Sequence, residues 1–280
     1  MEISEKKISR ILNPTAIDLG DYVINPFRGC AYGCLYCYVR SNRVVSRIGK
    51  PWGTYLEVRI NAPELLEKEL VKNKPRAVLL GSTTECFQPA EGKYRLTKKI
   101  LEILNRFQVP YSILTRSPLI TEYLELLKSG LCRKIYFTIN SFGQEWKNLF
   151  EPLTPSFDLR KNAINLLLKE KIPVLPYFSP LLPGISHYKN IFAEIPLAER
   201  VEFESLNFNL PTINDIIKEI TLIDEGLAKN YRRIQQEPDF YNNTWKTIKD
   251  NINKQAQACG KSFEIYIHKF GGYFENKYGA

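Results

Sequence analysis

The chain has 280 residues, 44% apolar and 25% charged, with a formal net charge of +9. That length suits one large domain or two small ones, and that balance excludes a disordered chain, a collagen-like repeat and a small disulfide scaffold. No apolar run approaches the roughly 18–20 residues that cross a bilayer, and the N-terminal stretch has no h-region or small-residue cleavage site. The expectation is a soluble, cytoplasmic chain without a membrane partner.

In chain order, β-rich apolar runs predict strands at 22–24, 55–60, 77–80, 111–114, 134–139, 174–178 and 201–206. Helical spacing falls between them. Residues 62–72 follow Asn61 and put Leu65, Leu66, Leu70 and Val71 on one face. Residues 98–107 do the same with Ile100, Leu101, Leu104 and Phe107, and 157–169 with Ile164, Leu167 and Leu168. Strand–helix alternation predicts a parallel sheet, and six units suit an open barrel better than a flat sheet. The run 55–60 reads as a hairpin-like strand decorating the first loop. Beyond residue 206 the pattern changes to helices over 213–229 and 241–258 and one further strand over 262–268. The division predicted is a barrel over 1–210 and a mostly helical C-terminal cap over 211–280, packed on it.

Polar, Gly- or Pro-containing segments follow the predicted strands, at 29–37, 81–85, 115–117, 140–141, 179–184 and 207–209. In a barrel such loops converge on one face, where the chemistry is placed. Charge is uneven as well. Residues 1–200 carry 29 basic and 19 acidic side chains, against 10 and 11 in 201–280. Between Tyr22 and Leu56 there is no acidic residue, while Arg28, Arg40, Arg43, Arg47 and Lys50 are basic. Such a block attracts phosphate groups; a solvated basic surface is the blander reading.

Of six cysteines, Cys30, Cys34 and Cys37 lie within eight residues. Three soft ligands at that spacing suit an iron–sulfur cluster with one iron left open, and Gly29 and Gly33 let the backbone wrap a bulky group. A structural zinc would want a fourth ligand. The two histidines, His187 and His268, are far away in sequence, and there is no second Cys-x2-Cys.

Cys-x3-Cys-x2-Cys, with Tyr36 before the third cysteine, resembles the radical S-adenosylmethionine (SAM) signature. The segments Asn25-Pro26-Phe27-Arg28-Gly29-Cys30 and Cys37-Tyr38-Val39-Arg40 resemble, more narrowly, the spore photoproduct lyase-like branch, also labelled DNA repair photolyase-related. The likeness continues through 81–91 (GSTTECFQPAE), 114–119 (LTRSPL), 150–160 (FEPLTPSFDLR) and 180–184 (PLLPG).

The resemblance implies an α/β fold, a partial (β/α)6 TIM-type barrel of parallel strands. It also implies a 4Fe-4S cluster on Cys30, Cys34 and Cys37, and SAM on the open iron. One-electron cleavage of SAM then yields a 5′-deoxyadenosyl radical that abstracts a substrate hydrogen, with a reductant such as flavodoxin or ferredoxin as partner. By the same resemblance Tyr36 presents its backbone near adenine, and the turn Gly81, Ser82, Thr83, Thr84, Glu85 meets the methionyl ammonium. Arg116 stands where relatives usually have Lys and suits the SAM carboxylate. Asn140 and Ser141 are candidates for the ribose hydroxyls. Glu151 and Arg160 match family positions, and a structural ion pair is the alternative for them.

Relatives commonly read Thr-Asp-Pro-Tyr-Gln-Pro where this chain reads Thr84-Glu85-Cys86-Phe87-Gln88-Pro89. Glu85 keeps a carboxylate. Cys86 becomes a candidate hydrogen donor to a product radical, against the alternative of a buried bystander thiol. Cys132 reads as core and Cys259 as unpartnered. Three functional readings follow: a radical SAM enzyme that repairs or modifies nucleic acid, one that modifies a peptide or small metabolite, and a non-catalytic iron–sulfur sensor.

Overall fold

The computed structural model describes residues 1–42, 45, 48–271 and 275–279, the last of these by backbone alone. Arg43 and Arg47 of the basic block lie outside the described residues. The strands are β1 (Glu2–Lys6), β2 (Asn13–Pro14), β3 (Tyr22–Ile24), β4 (Phe27–Arg28), β5 (Tyr55–Arg59) and β6 (Val78–Leu80). They continue with β7 (Tyr111–Thr115), β8 (Cys132–Thr138), β9 (Val174–Leu181), β10 (Arg200–Ser205), β11 (Ser262–His268) and β12 (Glu275–Gly279).

Two sheets result. The larger has the order β12-β11-β10-β9-β8-β7-β6-β3-β2, and a side sheet has the order β1-β5-β4. In the larger sheet β3–β6, β6–β7, β7–β8, β9–β10 and β10–β11 pair parallel, while the edge pairs β2–β3 and β11–β12 are antiparallel. The sheet is open. The run 55–60, expected as a decoration, is the centre strand of the side sheet, parallel to β1 and antiparallel to β4. Among the described residues no helix is long and apolar enough to cross a membrane.

The chain divides into two compact units. The first comprises 1–33, 49–138 and 153–175. Its central strand β6 has Val78, Leu79 and Leu80 all fully buried, the continuous apolar run that a strand covered on both faces requires. Helices Ala62–Lys72, Leu96–Arg106 and Phe157–Lys169 lie between its strands in sequence, as expected from their spacing. Each has a defined start. Pro63 sits in the first turn of one, and Ser156 accepts a bond from the Leu159 N–H in another.

The second unit comprises 34–48, 139–152 and 176–280. Phe178 of β9 stacks on Phe203 of β10 at 5.9 Å, both fully buried. Where one helix is expected over 213–229, two are found, Ile213–Thr221 and Glu225–Gln236. The Asp224 carboxylate accepts the Leu227 N–H at 2.8 Å and starts a new helix in mid-pattern, a capping signal that apolar periodicity hides. Helix Pro238–Ala258 follows, and β11 then pairs parallel with β10, adding a strand to the sheet.

Candidate active site

In the first unit the loops that follow β3, β6 and β7 are stitched together by buried side chains. Asn25, just after β3, donates from Nδ2 to Ser82 Oγ at 3.2 Å and accepts the Thr83 N–H on Oδ1 at 3.0 Å. Gln88 is fully buried. Its Oε1 accepts the Ala31 N–H at 2.9 Å, and its Nε2 donates to Thr84 Oγ1 at 3.3 Å. The Thr84 hydroxyl in turn donates to the Gly29 carbonyl. The backbone around Cys30 is thus gripped on both sides. Gly29 has φ +93, and a Cβ there would lie 2.5 Å from the Tyr55 carbonyl; Gly81, φ +87, would meet the Leu114 carbonyl at the same distance. Neither position admits a side chain.

Glu85 lies deep in this loop, 6% exposed. Oε1 accepts from the Thr115 hydroxyl at 2.7 Å and the Phe87 N–H at 3.0 Å, while Oε2 accepts the Arg116 N–H at 2.9 Å. Burial raises its pKa above the ordinary carboxylate value, and those three donors oppose the shift. The carboxylate is therefore fixed to the end of β7. Cys86 is fully buried, and burial, followed by the Glu85 and Glu91 carboxylates, holds its thiol well above the usual cysteine range. Such a sulfur keeps its proton. Burial also raises the Tyr32 phenol, which bonds to the Ser117 side chain. Arg160 is 1% exposed, with Nε donating to the Ser156 carbonyl at 3.4 Å.

In the second unit the other part of the cysteine loop is held differently. The Cys37 N–H closes a turn on the Cys34 carbonyl at 3.2 Å, and the Leu35 N–H donates to the Phe150 carbonyl at 3.0 Å. The Tyr36 hydroxyl donates to Glu151, and its ring stacks on Phe150 at 6.4 Å. Asn140 directs Nδ2 at Tyr36 Oη (3.0 Å), Glu151 Oε1 (3.2 Å) and the Ser179 carbonyl (2.7 Å). Ser141, half-buried, accepts the His187 N–H on its carbonyl at 2.8 Å.

The described members of the basic block are paired. Arg28 pairs with Glu57 at 3.3 Å, Lys50 with Glu2 at 2.6 Å and Arg40 with Asp215 at 3.1 Å. Its described members have acidic partners distant in sequence, which a local count of charge cannot reveal.

Several polar residues escaped the sequence reading. Gln88 and Asn25 are the clamps just described. Glu91 is fully buried and caps helix Leu96–Arg106, accepting the Thr97 and Lys98 N–H groups at 2.9 and 3.0 Å. At the ends of β9, β10 and β11, Glu204 accepts from Tyr177 and Ser179 and contacts His268 Nε2 at 3.2 Å. Burial pushes the Glu204 pKa up, but the bonds from His268, Ser179 and Tyr177 outweigh it and the net shift is downward. The signal available in sequence was position for Asn25 alone, a polar residue that directly follows the apolar run 22–24. Cys132 is a bystander, its thiol pushed up to about 12 by burial, and Cys259 is exposed.

The donor set at residues 30–37 is three thiols, with Cys34 buried and Cys30 and Cys37 half-buried. Among the described residues no three His, Cys, Asp or Glu side chains converge as around a single ion. Three soft thiols on a loop bent at Gly29 (φ +93) and Gly33 (φ +59) are the donor chemistry that suits an iron–sulfur cluster.

Comparison with known proteins agrees with this chemistry. Residues 24–188 match the radical SAM superfamily. An uncharacterized protein of Methanocaldococcus jannaschii is 32% identical over 208 residues, 74% of this chain and 78% of that one. A spore photoproduct lyase variant with bound AdoMet and dinucleoside spore photoproduct superposes at TM-score 0.58 and 19% identity, over 77% of this chain and 65% of that chain. The radical S-adenosylmethionine methyltransferase TsrM from Kitasatospora setae, with tryptophan substrate and a SAM analog bound, gives 0.50 at 17% identity, over 72% and 39%. This chain thus spans 65% and 39% of those solved chains. The likenesses carry the α/β fold, a mostly parallel sheet in a partial barrel, as the strand pattern predicted. With more than half of its length inside the family match, the chain belongs to the radical SAM superfamily, whose members are enzymes and whose chemistry implies a 4Fe-4S cluster and SAM.

Proposed function

We propose that this chain is a radical SAM enzyme acting on nucleic acid, by lesion repair or base modification. Cys30, Cys34 and Cys37 would hold a 4Fe-4S cluster, which when bound with SAM and given one electron would supply methionine and a 5′-deoxyadenosyl radical able to take a hydrogen atom from substrate. The observation that carries this reading is the anchoring of the cysteine loop. The backbone on either side of Cys30 is tied down by Gln88 and Thr84 in the first unit, and the backbone between Cys34 and Cys37 by Tyr36 and the Phe150 carbonyl in the second.

In the first unit, the turn opened by Gly81 offers Ser82, Thr84 and Glu85 to the SAM ammonium. Glu85 cannot rotate, because three donors from two loops fix it. Arg116 suits the SAM carboxylate, in a fork that Lys cannot make, and Arg160 is a buried positioning cation. In the second unit, Tyr36 turns its backbone toward adenine while its hydroxyl is tied. Ser141 takes the ribose hydroxyls, and Asn140 holds the strand end beside it. Cys86 gives the hydrogen atom of its S–H to the product radical and is left as a thiyl radical, which the same reductant returns to the thiol with one electron and one proton; a hydrogen donor must carry its hydrogen, and burial keeps this thiol protonated.

Nucleic acid is favoured over a peptide or small metabolite by the fold shared with a lyase complexed with a dinucleoside photoproduct. The surplus of positive charge in 1–200 supports it. The test is 5′-deoxyadenosine release by anaerobically reconstituted protein under a strong reductant. Wild type is expected to release it, and Cys30→Ala, Cys34→Ala and Cys37→Ala to lose both the cluster's visible absorbance and release. Persistent release in any of the three overturns the assignment. A reduced cluster without release in wild type would instead fit an iron–sulfur sensor.

A further inference from the structure

The first unit carries a second feature, outside the cysteine loop. An open groove of about 630 Å³ is lined by Lys7, Ile8, Ser9, Arg10, Asn13 and Arg59. Three of these side chains are cationic and none is acidic. Lys7 and Arg10 are exposed and have no ion pair among the described residues. The nearby carboxylates are engaged elsewhere. Glu5 accepts from the Tyr94 hydroxyl at 3.0 Å, Glu69 accepts the Ile11 and Leu12 N–H groups at 3.0 and 2.8 Å, and Glu57 pairs with Arg28.

Arg59 is the inner wall. It is half-buried, its Nη1 donates to the Asn25 carbonyl at 2.8 Å, and its N–H donates to the Pro26 carbonyl at 3.2 Å. The groove therefore abuts the segment that leads into Cys30. Burial and the neighbouring Arg28 depress the Arg59 pKa, against a smaller opposite pull from Glu57. An anion in the groove would relieve that imbalance.

We propose that this groove binds the sugar–phosphate backbone of the nucleic-acid substrate alongside the cysteine loop, a proposal that rests on the nucleic-acid reading above. Long, exposed cations along an open channel neutralise phosphates without reading bases, the arrangement for positioning a polymer rather than enclosing a small anion.

The test titrates reconstituted holoenzyme into a fluorescein-labelled single-stranded DNA of mixed sequence, followed by anisotropy, at salt from about 50 to 200 mM. Lys7→Ala/Arg10→Ala is compared with Lys99→Ala/Lys169→Ala, which removes equal charge from exposed positions outside the groove. Each lost phosphate contact on a single strand lowers the magnitude of the log–log salt slope by about 0.7, so the groove variant is expected to lose about 1.4 and the control nearly none. Equal slopes in wild type and the groove variant, with wild type still binding, overturn the groove and leave the nucleic-acid reading standing. No binding by wild type overturns both. Inorganic pyrophosphate is expected not to displace the DNA at equal phosphate concentration; displacement would make the occupant a small anion and refute the backbone assignment.

Discussion

Replacing Gln88 by Leu tests how the cysteine loop is held. Gln88 is fully buried, and its Oε1 is the acceptor for the Ala31 N–H at 2.9 Å. Leucine keeps most of the volume and removes both polar groups. The Ala31 N–H is then buried without a partner, at a cost of about 1–3 kcal/mol. Loss of the longer 3.3 Å bond to Thr84 adds little, because the Thr84 hydroxyl keeps its bond to the Gly29 carbonyl. With an unfolding entropy of about 2.1 cal/mol/K per residue over 280 residues, that cost lowers Tm by about 2–5 °C. Because Ala31 adjoins Cys30, iron per chain after reconstitution falls with it. Thermal melting followed by circular dichroism, together with an iron assay, reads both effects. A Gln88→Leu protein that melts like wild type and holds full iron would show that neither the Ala31 N–H nor the cysteine loop depends on this side chain.

Two further outcomes follow from the same geometry. Cys86→Ala is expected to release 5′-deoxyadenosine yet stall or divert the product, as resolved by chromatography of the reaction; an unchanged product distribution returns Cys86 to the role of core filler. Glu204 has a folded-state pKa below its ordinary 4.5, so it contributes stability present above that value and lost as pH falls through the folded pKa. Urea midpoints compared between neutral pH and pH below 4.5 should therefore drop less in Glu204→Gln than in wild type. An identical acid-side drop contradicts the bonding described at the ends of β9, β10 and β11.

Much of the architecture was legible because periodicity reports burial. Residues 157–169 and 262–268 fall where the spacing puts them, since their apolar stripe or alternation is strong and their ends are marked by Ser156 and Gly260. The helix break at Asp224 was not legible, because Ile223 and Leu227 keep an apolar pattern running through it. The cysteine loop stood out because three soft ligands at close spacing have few uses. The residues that hold it did not. Gln88 holds Ala31, and Asn25 holds Ser82 and Thr83, through hydrogen bonds to partners 57 or 58 positions away, and no local pattern encodes such a partner. The partners of the basic block were hidden for the same reason, since the carboxylates that pair with Arg28, Arg40 and Lys50 are Glu57, Asp215 and Glu2.

Substrate class is decided with SAM deuterated at C5′, reconstituted enzyme, and host DNA or RNA, including ultraviolet-irradiated DNA. Nucleic acid is expected to stimulate 5′-deoxyadenosine release, with deuterium exchanging into the polymer or hydrogen from it washing into the nucleoside. Slow release that no nucleic acid changes, with no label exchange in either direction, would contradict nucleic acid as the substrate and turn the search to peptides and small metabolites.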